Sequence, residues 1–384
     1  MDFRKTGHGV CLPGFRAGGV KRGKYGVALI VSDIVCEAAV VSTRNNVKAA
    51  PLRYNSRILE SGVQAVVANS GNANCCVREG IRDAELMAAE ASAELGVKAR
   101  DVAVASTGII GRRMDMKSVK ALIVEAAAKI SPTPKGSLQA AKAIMTTDKR
   151  IKMYSAEYRG IRAGGICKGS GMISPNMATM LCFITTNASF PKSKLSAALK
   201  EAVEDSFNMI SVDGDMSTND TVLLLSNRTE KCSYGDFKAL LKHVCVEMAK
   251  MIPRDGEGAS KFIEVEVRGG RSNAEARKAV KSVIDSTITK CAFYGENPNW
   301  GRILSSIGSA VKFDEMNVDV TFQSGKKSAK VFSGGRCRRL DSARKILANR
   351  NIRVVVDLHR GRHGAVGWMC DITPDYVRIN AEYN

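Results

Sequence analysis

The stretch Lys168-Gly-Ser-Gly-Met-Ile-Ser-Pro-Asn-Met-Ala-Thr179 leads directly into the apolar run Met180-Leu-Cys-Phe-Ile184. A loop of small residues thus enters a segment with the composition of a buried β-strand. A threonine at the mouth of such a strand can attack the carbonyl before it, cut the chain and become a new N-terminus. Its freed α-amine, with an ordinary pKa of about 7.7–8.0, suits a base that activates the neighbouring hydroxyl. The alternative is a Gly/Ser loop, a Pro175-Asn176 turn and a Thr179 that only begins a strand.

Composition indicates a globular protein. The chain has 384 residues, of which 45% are hydrophobic and 25% charged, and this length suits two domains or one large α/β unit. It contains no apolar run long enough to span a membrane, and its first residues lack the apolar core of a signal peptide. We therefore expect a cytoplasmic protein.

The cysteines and histidines do not indicate a metal site or a disulfide framework. Eleven cysteines are scattered along the chain without Cys-x-x-Cys spacing, and there are only four histidines. His359 and His363 are four residues apart, but Gly361 lies between them and the β-type run Arg353–Val356 precedes them. We expect a hairpin turn there, and no metal.

The net charge of +20 raises the question of nucleic-acid binding. Aromatic residues make up only 5% of the chain, and no basic segment is interleaved with aromatic residues as a base-stacking surface requires. Basic clusters such as Lys21-Arg-Gly-Lys24 are short. We therefore interpret most of the charge as solvated surface and expect no nucleic-acid partner.

Hydrophobic periodicity predicts strands and helices in alternation. We expect a compact α/β protein with mixed sheets layered with helices, and the sequence shows no domain boundary apart from the possible cut. Ser131–Gly136 is the clearest loop. The predicted strands are Val27–Ser32, Glu37–Ser42, Val63–Ala68, Val102–Ala105, Ile151–Tyr158, Ile161–Cys167, Thr221–Leu225, Phe262–Val267, Val318–Phe322, Arg353–Leu358 and Tyr376–Ile379, and the predicted helices are Ile81–Leu95, Met116–Ile130, Lys192–Phe207, Phe237–Met251 and Ala274–Ser286.

The segment around Thr179 resembles the self-cleavage region of the ornithine acetyltransferase family, also called bifunctional glutamate N-acetyltransferases. Further blocks of similarity follow in the family's order and span nearly the whole chain, which makes the resemblance specific. These blocks are Ala68–Asn74, Ala105–Gly111, Met145–Asp148, Ser206–Asp220, Arg254–Lys261, Asn297–Arg302 and Ile379–Tyr383.

The resemblance implies a self-cleaving N-terminal-threonine acyltransferase fold. Cleavage between Ala178 and Thr179 would give an α chain, 1–178, and a β chain, 179–384, that assemble as a heterotetramer of two copies of each. Thr179 would then carry an acetyl group from N²-acetylornithine to glutamate in arginine biosynthesis, without a metal or other cofactor. The sequence does not distinguish members that also use acetyl-CoA as a donor.

The family's oxyanion hole corresponds to Thr107 and Gly108. Their segment, Ser106-Thr107-Gly108, is predicted to turn after a strand, where Gly108 lets the backbone N–H approach and the Thr107 hydroxyl joins it. The alternative from the residues alone is a helix start capped by Ser or Thr.

The resemblance also assigns substrate contacts, namely Thr147, Lys168, Glu257 and Asn380. An ammonium such as that of Lys168 pairs with an amino-acid carboxylate, and Glu257 between two glycines can pair with a substrate ammonium. From the residues alone, each of these four side chains could instead be a surface charge, a helix cap or part of a turn. The family has a Ser or Thr after its C-terminal motif, where this sequence has Asn384, so that contact is missing or is made by Asn384.

Two other functions remain compatible with parts of the sequence. A self-cleaving amidohydrolase or aminopeptidase would share the chemistry as far as the acyl-enzyme and would then use water as the acceptor. A basic nucleic-acid-binding protein would stay uncut and bind with a steep salt dependence. A noncatalytic relative is a third alternative, against which the retained Thr179 argues.

Overall fold

The computed structural model describes residues 1–174 and 180–382, which form two compact units. The first unit contains 1–169, 180–204 and 216–249, and the second contains 170–174, 205–215 and 250–382. Each unit includes residues from both sides of the Ala178–Thr179 bond. The units therefore do not coincide with the fragments 1–178 and 179–384, and that division stays a prediction.

In the described residues, the strands are β1 (Arg4–Lys5), β2 (Phe15–Arg22), β3 (Tyr25–Ser42), β4 (Val63–Asn72), β5 (Val102–Ile109), β6 (Lys152–Tyr158), β7 (Ile161–Lys168), β8 (Leu181–Ala188), β9 (Ile210–Ser211), β10 (Thr221–Glu230), β11 (Phe262–Gly270), β12 (Asp319–Ser324), β13 (Lys327–Ser333), β14 (Arg336–Cys337), β15 (Asn351–Asp357) and β16 (His363–Cys370). The helices of the same residues are α1 (Ala50–Ile58), α2 (Gly80–Leu95), α3 (Met116–Ala127), α4 (Pro134–Ala143), α5 (Lys192–Glu204), α6 (Tyr234–Arg254), α7 (Asn273–Ile284), α8 (Thr287–Tyr294), α9 (Trp300–Ala310), α10 (Leu340–Leu347) and α11 (Pro374–Glu382).

The first unit is built on a mixed sheet with the strand order β1-β6-β7-β8-β10-β3-β4-β5, and β2 pairs with β3. Strand β8 lies between β7, to which it is antiparallel, and β10, to which it is parallel. Lys168 at the end of β7 is opposite Leu181 at the start of β8. The two ends of the segment that contains Thr179 thus belong to neighbouring strands.

Both faces of this sheet are covered, because alternate residues of its strands belong to different cores. On β3, Ala28 and Ile30 pack with the α4 residues Ala140 and Ala143 in one core. The other core combines the intervening β3 residues with apolar residues of α2 and α3, and its members include Val27, Leu29, Val31, Met87, Ala88, Leu122 and Ile123. This double burial explains why the strands of this unit are nearly continuous apolar runs.

The second unit has its own mixed sheet, with the order β14-β13-β12-β15-β11-β16-β9. Helix α7 packs on β11 and β16, and α10 packs on β12 and β13. The predicted fold class, α/β with mixed sheets layered with helices, is confirmed in both units.

One predicted strand is wrong. Tyr376–Ile379 lies in α11, although its alternating apolar residues are typical of a strand. Pro374 occupies the first position of the helix, where a missing N–H costs nothing, and the Thr373 hydroxyl accepts a hydrogen bond from the Tyr376 N–H at 3.3 Å. The Thr373-Pro374 pair, and not the alternation of apolar residues, therefore indicates the helical structure of this segment.

Three other expectations need adjustment. The predicted loop Ser131–Gly136 contains the start of α4 at Pro134, again after a threonine. The predicted strands Val27–Ser32 and Glu37–Ser42 are parts of the single strand β3. Strands β15 and β16, on either side of His359, do not form a hairpin, because each pairs with β11.

No helix within the described ranges combines the length and the apolar character that are needed to cross a membrane.

Candidate active site

Thr107 and Gly108 lie within β5, which continues to Ile109 and pairs with β4. The predicted turn is therefore wrong, since the strand has only a local irregularity here. Gly108 has φ +133°, and a side chain at this position would overlap the backbone of Gly71. Only glycine fits where β4 and β5 approach each other this closely, so a larger residue at position 108 would push the two strands apart.

Lys168 is buried at the end of β7, with 3% of its surface exposed, and its Nζ donates to Thr107 Oγ1 at 3.3 Å. An ammonium group only donates, so the Thr107 oxygen accepts in this contact. Its hydroxyl proton remains available to another acceptor, as an oxyanion hole requires. The structure thus brings two of the predicted site residues into direct contact.

Asp148 supplies a negative charge close to Lys168. It accepts hydrogen bonds from Lys152 Nζ at 2.7 Å, from the Gly169 N–H at 2.7 Å and from the Thr146 N–H at 3.0 Å. Burial alone would raise the pKa of Asp148, but the charges of Lys168 and Lys152 and the Gly169 hydrogen bond outweigh it and hold the pKa at about 2. The carboxyl is therefore ionised at neutral pH and fixes the peptide that follows Lys168.

A second lysine contributes positive charge to the same cluster. Lys21 Nζ donates to Ser70 Oγ at 2.8 Å, to the Lys24 carbonyl at 3.2 Å and to the Met145 carbonyl. Burial, together with the charge of Lys168, lowers the pKa of Lys21 to about 8. Two cations that repel each other in a buried site favour an added anion, such as a substrate carboxylate.

Thr147 is half-buried between Thr146 and Asp148. Its neighbours on both sides are held by the Asp148 hydrogen bonds, so the local backbone is defined. Its assignment as a substrate contact stays a prediction. Ala178 and Thr179, the predicted cleavage site and nucleophile, lie outside the described residues, and so does Asn384.

In the second unit, Glu257 and Asn380 are in contact. The Asn380 amide on α11 donates to Glu257 Oε2 at 2.8 Å and to the Tyr376 carbonyl at 3.0 Å. The Glu257 N–H donates to the Ser170 carbonyl at 2.9 Å, and a side chain at Gly171 would overlap the Glu257 carboxylate. The predicted pair is thus one hydrogen-bonded group, anchored to the loop after Gly169.

The same loop is held by a carboxylate that the sequence did not single out. Asp213 accepts hydrogen bonds from the Met172 N–H at 2.6 Å and the Ile173 N–H at 2.7 Å, and the Tyr376 hydroxyl donates to it at 3.3 Å. Burial raises the pKa of Asp213, although these backbone donors act against the rise. Asp213 therefore fixes the backbone shortly before Pro175.

Sequence reasoning missed Lys21, Asp148 and Asp213 as parts of these clusters. Asp148 stood in a recognised block without a role, and Lys21 belonged to a short basic run that we interpreted as solvated surface. That interpretation is wrong for Lys21, whose ammonium makes three hydrogen bonds. The available signal for Asp148 was an acidic residue four positions before a lysine, Lys152, in a segment that also contains Lys149 and Arg150.

Comparison with known proteins identifies the family. The ArgJ family model matches residues 14–384. A glutamate N-acetyltransferase of Methanothermobacter thermautotrophicus is 42% identical over 398 residues, which cover 100% of this chain and 99% of the relative. The arginine biosynthesis bifunctional protein ArgJ of Symbiobacterium thermophilum is 45% identical over 378 residues, which cover 94% of this chain and 92% of the relative.

Among solved structures, that of the arginine biosynthesis bifunctional protein ArgJ from Bacillus halodurans is 35% identical, covers 52% of this chain and 98% of its own, and has a TM-score of 0.49. The family match and the two relatives each extend over nearly the entire sequence. This chain therefore belongs to the ArgJ family of acyltransferases.

Proposed function

We propose that this protein transfers the acetyl group of N²-acetylornithine to glutamate, in arginine biosynthesis, through an acetyl ester on Thr179. Relatives at 42% and 45% identity, named for glutamate acetylation and for arginine biosynthesis, support this reaction. The structural observation that carries the proposal is the buried contact between Lys168 and Thr107, because it joins a carboxylate-binding cation to an oxyanion donor.

The first step is self-cleavage. The Thr179 hydroxyl oxygen attacks the Ala178 carbonyl, the bond from this carbonyl to the Thr179 nitrogen breaks, and the nitrogen takes the hydroxyl proton. Water then hydrolyses the resulting ester, which leaves a carboxylate on Ala178 and a free amine on Thr179. The pairing of Lys168 with Leu181 supports this step, since it anchors both ends of the intervening segment.

The second step uses the same hydroxyl on a substrate. Thr179 Oγ attacks the acetyl carbonyl of acetylornithine, with the Thr179 amine as the base, and ornithine leaves with the proton. The glutamate amine then attacks the acetyl ester and regenerates the hydroxyl. Each attack forms an oxyanion, and we assign its stabilisation to the Thr107 hydroxyl and the Gly108 N–H.

The substrates of both half-reactions carry an α-carboxylate. We assign its binding to Lys168, with Thr147 as a further contact. The ammonium groups of Lys168, Lys21 and Lys152 carry more positive charge than the single carboxylate of Asp148 neutralises. Glu257 is assigned to a substrate ammonium, and the Asn380 amide both holds its carboxylate and serves as a substrate contact.

The two fragments stay associated after cleavage in this proposal. Strand β8 follows the cut, yet it is hydrogen-bonded to β7, which precedes the cut, along six residue pairs. Separation would expose an apolar central strand, which is strongly unfavourable. We further propose that two α and two β chains form a cytoplasmic heterotetramer and that the reaction needs no cofactor. Acetyl-CoA is the substrate with which a second donor activity should be tested.

A two-substrate assay tests the reaction. Initial rates of ornithine release, measured against acetylornithine at several glutamate concentrations, should give parallel double-reciprocal lines, because a covalent intermediate separates the two substrates. The product N-acetylglutamate should equal the ornithine released. Ornithine release at a rate that glutamate does not raise would contradict acetyl transfer and favour a hydrolase.

A further inference from the structure

The segment Ser217-Thr-Asn-Asp220, here called the 217–220 brace, ends immediately before β10 and has no role in the reaction described above. Asp220 has 0% of its surface exposed and Asn219 has 6%. Burying a carboxyl and an amide costs free energy unless each makes well-placed hydrogen bonds. The partners of these two side chains therefore show what the brace does.

Asp220 binds the backbone at the first described residue after Thr179. The Met180 N–H donates to Asp220 Oδ1 at 3.0 Å, and the Met180 carbonyl accepts from the Thr221 N–H at 3.0 Å. Both backbone polar groups of Met180 are thus fixed by two consecutive residues. The position at which the chain enters β8 is defined by the Asp220 side chain and the start of β10.

Asn219 binds the backbone next to the oxyanion residues. Its Nδ2 donates to the Ser106 carbonyl at 2.8 Å and to the Ala73 carbonyl at 2.6 Å, and its Oδ1 accepts from the Thr218 hydroxyl at 2.6 Å. Ser106 directly precedes Thr107 on β5. An amide that uses both donors and its acceptor in this way has one orientation only.

We propose that Asn219 and Asp220 are positioning residues that fix the distance between the Thr107-Gly108 donors and Met180, the residue immediately before β8. The inference rests on the proposed function, because it assigns the brace to the geometry of self-cleavage and acetyl transfer. Asn219 binds the residue before Thr107, and Asp220 binds the residue after Thr179. Because Asn219 and Asp220 are consecutive, the separation of these two attachment points is limited to about the length of one peptide unit plus the two side chains. Displacements of about 1 Å at such a site cost about a hundredfold in rate.

The environment of Asp220 determines which substitution keeps the brace. Burial raises the pKa of Asp220 well above its usual value, although the Met180 N–H and the charge of Lys168 act against the rise. A neutral side chain of the same shape therefore avoids the cost of burying a charge at this position. Asp220→Asn retains an oxygen for the Met180 N–H, whereas Asp220→Leu has a similar size and no acceptor.

The test measures self-cleavage of newly made protein over time by intact mass, with kcat and KM of acetyl transfer and the thermal unfolding midpoint of each variant. We expect Asp220→Asn to cleave at nearly the wild-type rate, and Asp220→Leu and Asn219→Leu to cleave about ten- to a hundredfold more slowly. In the leucine variants kcat should fall more than KM rises. Asp83→Leu is the matched control, because Asp83 is also fully buried in this unit, on α2, and should leave cleavage unchanged.

The outcomes separate this inference from the proposed function. Wild-type chain that never cleaves and never transfers acetyl would overturn the proposed function. Wild-type cleavage with an unchanged rate in a folded Asp220→Leu, or an equal loss in Asp220→Asn and Asp220→Leu, would overturn the positioning role alone. If the leucine variants do not fold, Asp220→Glu replaces them, since it keeps the carboxyl but moves the acceptor by one methylene and should cleave more slowly than Asp220→Asn.

Discussion

Thr179→Ala should yield a single uncut chain that transfers no measurable acetyl, while wild-type protein yields fragments 1–178 and 179–384. The substitution removes the oxygen that attacks both the Ala178 carbonyl and the acetyl donor. Loss of a covalent nucleophile leaves at most a residual rate from binding and the oxyanion donors, so the decrease should be at least about a thousandfold. Intact mass and the two-substrate assay measure the two effects on the same preparation.

The control for this prediction is Thr179→Ser, which keeps the hydroxyl. It should cleave and transfer acetyl, with rates lowered far less than in the alanine variant. Thermal unfolding of both variants shows whether the fold is retained. A Thr179→Ala chain that is still cut after Ala178, or that still acetylates glutamate at a rate near the wild type, would contradict the assigned nucleophile.

Asp148→Ala should strongly lower the stability of the first unit while it leaves the nucleophile intact. It removes the carboxylate that neutralises Lys152, whose side chain is 1% exposed, and it leaves the Lys168 charge without this anion. Removing one partner of a buried ion pair typically costs about 3–5 kcal/mol. Denaturant unfolding at pH 7 should show a lower midpoint, and Lys152→Met should offset part of the loss when it is combined with Asp148→Ala.

The pH dependence gives an independent check on Asp148. Its pKa falls from 3.8 to about 2 on folding, so the ionised carboxyl contributes about 2 kcal/mol of stability that is fully present above pH 3.8. This contribution is lost as the pH falls through 3.8 towards 2. Asp148→Asn should therefore lose less stability than the wild type over that interval, and an equal loss in both proteins would contradict the ion-pair assignment.

Most strands and helices could be predicted from the sequence because burial leaves a recognisable pattern of apolar residues. Strands β3, β4 and β5 are apolar at successive positions, since both faces of their sheet are covered, and they were predicted on that basis. The error at Tyr376–Ile379 arose where a local capping signal at Thr373-Pro374 outweighs alternation. Pro134 after Thr133 also begins a helix that was missed, although the Thr133 side chain makes no capping hydrogen bond there.

The site was predictable only where the resemblance named residues. The contact between Lys168 and Thr107 joins positions 61 residues apart, and no local pattern reports such a distance. The surroundings of Lys168 depend on Asp148 and Lys21, and the brace depends on Asn219. All of these are long-range contacts that only the folded chain assembles, so their roles could not be derived from composition or spacing.

The acetyl ester on Thr179 is tested most directly by the intact mass of the wild-type enzyme mixed with N²-acetylornithine in the absence of glutamate. Fragment 179–384 should gain the mass of one acetyl group and fragment 1–178 should gain none. Added glutamate should then remove the label as N-acetylglutamate. An unlabelled 179–384 fragment in an enzyme that nevertheless acetylates glutamate would contradict the covalent intermediate on Thr179.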